Sequence, residues 1–217
     1  MMKILVLCSL LLCSLVQAKE VTLQSELTGL ENWLSRYYDL SCADYRGEWN
    51  DTERPDCEDA YLDFMNSLGF ARSRLSDQEA SQLLDILWRS DEPVLSNELF
   101  KMTIASNLVN LPQDARPYVN NSELENLALD KVLSSPKQVR LRAIFLIGRL
   151  KDKKHLKLMK QIALENKEGE GSSAVFAMAN VVNNKREYSK HLNDIKDKSV
   201  DGDFIAFLDR YMNKHKL

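Results

Sequence analysis

Ser135-Pro136-Lys137-Gln138-Val139-Arg140-Leu141-Arg142-Ala143-Ile144-Phe145-Leu146-Ile147-Gly148-Arg149-Leu150 is the stretch from which the rest of the chain can be parsed. Its proline suits a first helical turn, where a missing N–H leaves no bond unmade. Gln138 follows Ser135 at the spacing of a capping box. Val139, Ala143, Leu146, Ile147 and Leu150 then recur every three or four residues, which predicts one apolar face along a helix.

The flanking segments read the same way. Ser122-Glu123-Leu124-Glu125 predicts a helix running to about Ser134. Beyond the quoted stretch, Leu156, Met159 and Ile162 mark a helix from about Lys153 to Glu165, Gly169 and Gly171 interrupt it, and further helices are expected over 172–184, 186–198 and 202–214. Upstream, Thr28-Gly29-Leu30-Glu31 predicts a helix start, with Leu30, Trp33, Leu34 and Tyr37 on its apolar face and its end near Cys42. A polar loop over 44–56 precedes a second apolar face at Ala60, Tyr61, Phe64, Met65 and Leu68, with an end expected at Gly69. Ser76-Asp77-Gln78-Glu79 opens a helix carrying Ala80, Leu83, Leu84 and Leu87; Pro93 opens the next, with Leu95, Leu99, Met102, Ser106 and Val109 on one face. Residues 110–121, with Pro112 and Pro117, read as a connection and a subdomain boundary.

The expected fold is all-α. Ala105, Ala143, Ala174 and Ala206 take equivalent places in successive helix pairs, 38, 31 and 32 residues apart, and small side chains there allow close approach. Such spacing predicts stacked antiparallel helix pairs, an α-solenoid; an irregular helical bundle is the alternative. Pro136, Val139, Arg140, Ala143, Gly148 and Leu150, after a helix bearing Leu124, Leu127 and Leu133, make this region resemble the HEAT-like helical repeats. The match is best over 122–166. Ser135 stands where that family usually has aspartate, and Ser172-Ser173 replaces its Val-Arg signature in the next pair. Residues 76–217 are expected to form such repeats, the pair over 76–111 being degenerate, with 19–75 outside the resemblance. It implies a surface that binds protein and names no partner.

Residues 1–18 have the layout of a secretory signal: Lys3, an apolar run from Ile4 to Val16, and Val16-Gln17-Ala18 before the expected cut. This predicts export to a periplasm or the extracellular space. There Cys42 and Cys57, the two cysteines left after cleavage, are expected to pair and pin the hairpin over 19–75. No second apolar run is long enough to span a membrane. Residues 19–121 hold 9 basic and 19 acidic side chains, while 122–217 hold 19 and 13. This asymmetry can steer a charged partner or simply solvate the surface. The stripe Lys153, Lys157 and Lys160 reads as a solvated helix face. Nucleic acid is not expected, because the net charge is −3 and no aromatic residues alternate with the lysines.

No nucleophile, metal or phosphate-loop motif is present, so no catalytic residue, metal or cofactor is assigned. Asp197 to Gly202 begins like a calcium loop but puts Leu208 where the closing glutamate belongs. The expected function is binding of another protein, as scaffold, adaptor, or an inhibitor or immunity protein; the alternative is an enzyme or accessory subunit with a site that has no motif. The expected binding residues are Arg142 and Arg149, seven apart on one helix, with Ser173 and Asn180 in the equivalent places one pair later and Asn183 a turn beyond.

Overall fold

The structure is a computed structural model and describes residues 22–42, 45, 55–116, 119–133 and 136–217. The expected signal segment, most of the acidic loop between the cysteines, and Ser135 lie outside them. The described residues are helical with no strand. In chain order the helices are α1 (Leu23–Asp39), α2 (Pro55–Arg74), α3 (Asp77–Arg89), the single turn α4 (Pro93–Ser96), α5 (Glu98–Leu108), α6 (Asn121–Lys131), α7 (Lys137–Leu150), α8 (Leu156–Glu165), α9 (Gly171–Val181), α10 (Lys185–Lys198) and α11 (Gly202–His215).

Several starts differ from the sequence reading. The first helix begins at Thr22, whose hydroxyl accepts from Ser25 N–H at 3.2 Å while Ser25 Oγ accepts from Thr22 N–H at 3.1 Å. Serine fills the role for which the reading sought a glutamate, so Thr28 lies inside α1. Gly69 does not end α2, which continues to Arg74. The helix expected from Pro93 to Val109 is broken at Asn97, whose side chain caps α5 by accepting from Leu99 N–H at 3.0 Å. Asn120, not Ser122, caps α6 through Glu123 N–H at 2.9 Å. The box at Ser76 and Glu79 forms as expected.

The packing order explains the alanine spacing. α5, α7, α9 and α11 lie side by side in that order, and α3, α6, α8 and α10 pack beside them as their partners. Ala105, Ala143 and Ala174 are wholly buried in the first three. At the amino-terminal end, α1 and α2 cap the row through Trp33, Tyr37, Tyr61, Phe64 and Phe100, whose ring centroids lie 4.7–5.7 Å apart in successive pairs. Trp33 Nε1 donates to Ala60 O at 2.7 Å, and Tyr61 Oη shares a 2.8 Å bond with Thr103 Oγ1. These bonds satisfy polar atoms that burial would otherwise leave stranded. The hydrophobic core runs unbroken from Leu30 to Met212.

Cys42 and Cys57 are joined by a disulfide that ties the end of α1 to the first turn of α2. No helix among the described residues is long and apolar enough to cross a membrane.

Candidate binding face

Ion pairs are spread unevenly over the stack. Along α6, α8 and α10, several ion pairs join neighbouring elements. Lys154 bonds Glu125 at 2.7 Å, and His155 Nε2 meets the same carboxylate at 2.9 Å. Lys153 reaches Glu187 at 3.4 Å and Lys160 reaches Asp194 at 3.3 Å. Hydrogen bonds from Lys198 and then Lys160 hold the Asp194 carboxyl below its ordinary range. The lysine stripe is therefore partly a seam between α8 and α10, and only Lys157 of the three is simply exposed.

The layer of α7 and α9 is different. Neither helix contains an aspartate or glutamate. Among the described residues, the one basic side chain of α7 paired with carboxylates is Arg140, which is buried against Glu170 at 2.6 Å and also reaches Glu168 at 2.9 Å. That pairing fixes the start of α7 to the turn before α9. In the same turn Asn166 Nδ2 donates to Asp201 Oδ2 at 2.7 Å, linking it to the start of α11. Asp201 is thus spent as a helix cap, accepting from Asp203 and Phe204 N–H at 3.0 Å each, and the calcium-like loop is a helix junction. No three potential metal ligands converge among the described residues.

Of the residues expected from sequence, four lie on α7 and α9, in two environments; Asn183 does not, because α9 ends at Val181 and the chain there is extended towards α10. Arg149 is exposed and donates to Asn110 Oδ1 on the neighbouring chain segment. Asn180 and Asn183 are exposed and Ser173 is half-buried. Arg142 turns away from this open row towards α2. Its guanidinium lies 5.4 Å from the Tyr61 ring centroid and contacts the Met65 sulfur. It borders a cavity of about 70 Å³ that also meets Tyr45, Glu58 and Gln138. Burial raises the Tyr61 phenol above its ordinary value, and the charge of Arg142 pulls it back down. Arg142 and Arg149 stand seven residues apart on α7, but Arg149 meets Asn110 while Arg142 helps seat the disulfide hairpin.

Sequence reasoning missed the aromatic residues of this face. Phe145 is 39% exposed and Phe176 is 40% exposed. They lie 31 residues apart, and Phe207 follows after another 31, next to the alanine register. Phe176 packs edge-on against Phe207 at 6.0 Å and Tyr211 at 5.4 Å, which extends the aromatic surface onto α11. On α7, Phe145 sits between Arg142 and Arg149; on α9, Phe176 sits between Ser173 and Asn180. The signal was the repeat distance itself, hidden because phenylalanine in an apolar helix reads as core.

No protein-family model matches the chain, and no curated protein or solved structure does.

Proposed function

We propose that this is an exported, HEAT-like helical-repeat protein that binds another protein across the outward face of α7 and α9. The observation that carries the reading is the contrast between the two layers. Lys153, Lys154 and Lys160 beside α8, and Lys196 of α10, find carboxylates on neighbouring elements, whereas Arg142 and Arg149 have none within ion-pair distance among the described residues. The same face leaves two large aromatic side chains partly in water. Apolar area rimmed by arginine and asparagine is the composition of an interface centre, with arginine and aromatic residues as its anchors. The Cys42–Cys57 bond fits an oxidising compartment, in keeping with the signal-like amino terminus.

A photo-crosslinking side chain at position 145, in cells that make the protein, tests the face. A discrete adduct with another protein is expected there and not from the same group at position 157. Equal yields at the two positions, or none at 145, would place the interaction elsewhere.

A further inference from the structure

We infer that one edge of the stack adsorbs to an anionic phospholipid surface, through lysines that three successive turns bring together. This is a second surface, and it does not depend on the α7 and α9 face.

Topology makes the edge. Short connections reverse the chain after α7, α8, α9 and α10, so these helices run up and down in turn. Residues 150–157, 183–190 and 210–217 therefore fall at one edge, and 130–137, 164–171 and 196–203 at the other. Contacts between the turns agree. Lys153 of the first segment reaches Glu187 of the second at 3.4 Å, and Tyr188 Oη of the second lies 3.4 Å from Tyr211 Oη of the third. At the far edge, Asn166 holds Asp201 at 2.7 Å.

The two edges differ in charge. The first three segments hold ten basic and two acidic residues, and the other three hold five and seven. Eight of the ten are lysines. Lys151, Lys157, Lys185, Lys190, Lys214 and Lys216 are exposed and make no ion pair among the described residues. Lys151, Lys214 and Lys216 follow or end helices, where the helix dipole welcomes a cation. Lys157, Lys185 and Arg186 stand in the first turns of α8 and α10, where the dipole favours carboxylates instead. Helix stability does not call for these three.

What the edge has and lacks gives the partner's chemistry. Lysine is a hydrated point charge on a flexible stem, suited to a diffuse field of charge, whereas the arginine fork suits bidentate recognition of one group. Lysine is depleted at protein–protein interfaces, which argues against a protein here. None of the large apolar side chains exposed among the described residues lies in the three segments, so contact stays at the headgroups. Single-stranded nucleic acid needs exposed rings to stack on, but Tyr188 is buried and Tyr211 packs on Phe176. A duplex groove admits a protruding helix or ribbon, and this edge ends in turns. Anionic headgroups form a flat, mobile field that many separate lysines can meet at once.

The test is sedimentation of the full chain with vesicles of phosphatidylcholine alone or mixed equally with phosphatidylglycerol. An uncleaved segment 1–18 would enter both alike, so the difference reads charge. Binding to the mixed vesicles is expected to be at least about tenfold tighter at low salt, and to weaken as salt screens it. Neutralising one lysine per turn, Lys157→Gln with Lys185→Gln and Lys214→Gln, is expected to weaken it about tenfold or more. Arginine at the same three positions keeps the charge and is expected to bind like the wild type. Lys137→Gln with Lys167→Gln, on the far edge, is expected to change binding by less than about twofold. Circular dichroism checks folding; if the triple variant unfolds, each single substitution is expected to weaken binding about threefold or more. Equal binding to both vesicles, or equal effects of the two sets of substitutions, overturns the inference. So does tighter binding of polyglutamate or of an oligonucleotide duplex than of the mixed vesicles at the same concentration of anionic groups.

Discussion

A methyl group on Gly148 would stand 2.7 Å from both the Cα and the Cβ of Ala177, so α7 and α9 meet at a point where only glycine fits. Alanine ordinarily favours a helix over glycine by ~1 kcal/mol. At Gly148 the backbone of α9 must instead retreat, and Gly148→Ala is expected to destabilise the protein by about 1–3 kcal/mol. Gly69 is also helical but has nothing within 4 Å of the same position, so Gly69→Ala is expected to stabilise by about 0.5–1 kcal/mol. Urea melts of the two variants should shift in opposite directions.

Arg140 and Glu170 form an ion pair whose side chains are only 7% and 5% exposed. Removing one partner strands a charge in the core. Arg140→Met should therefore lower stability by about 3–5 kcal/mol. Adding Glu170→Met should recover most of that loss, because the stranded carboxylate goes with it. A double-mutant cycle on thermal melts measures the recovery; additive losses would show that the pair acts independently.

The disulfide closes a loop across 15 residues. Replacing both cysteines by serine is expected to lower stability by about 2–4 kcal/mol. In a variant whose only tryptophan is Trp33, the loss should appear in fluorescence before helicity falls, because Trp33 lies in the aromatic cluster at the amino-terminal end and the row from α5 to α11 does not contain it.

The Asp201 carboxyl is held below its ordinary range, first by the Phe204 N–H and then by the Asn166 side chain. A depressed carboxylate stabilises the fold at pH above its unfolded value, and that stabilisation fades as pH falls through the folded value. The stability difference between the wild type and Asp201→Ala should be full near neutrality and shrink once pH drops below about 4, the ordinary aspartate value. Amide exchange in α11, followed across this range, reports it. A difference that grows on acidification would contradict the assignment.

The all-α fold and much of its register could be read from residues that act locally. Ser76 and Glu79 form their cap, Leu83, Leu84 and Leu87 are buried, and the buried alanines mark the close-packed row. Local rules failed where a weaker side chain did the same work: Ser25 in place of glutamate at the start of α1, and Asn97 and Asn120 as caps within or before apolar runs. Exposure explains Gly69, which solvent tolerates inside a helix. What the sequence could not reveal was non-local. Arg142 meets Met65 across 77 residues, and no periodicity within α7 shows that one of its two outward arginines is partly covered. The phenylalanine register was visible as a number but not as a surface, since exposure depends on where neighbouring helices stop.

The contacts also differ in how far along the chain they reach. Links among the carboxy-terminal helices, such as Arg140–Glu170, Lys160–Asp194 and Asn166–Asp201, span 30, 34 and 35 residues. Those that seat the amino-terminal cap span more: 52 for Asn97 with Tyr45, 54 for Tyr38 with Glu92 and 77 for Arg142 with Met65. Longer closures carry a larger entropic penalty and form more slowly. The carboxy-terminal pairs can thus zip up on short loops, while α1 and α2, which pack on each other and on α3, complete their docking only once α5 and α7 are in place. The two helices synthesised first are thus the two that settle last, and until then they are held as a pair by the disulfide together with the Trp33 bond to Ala60.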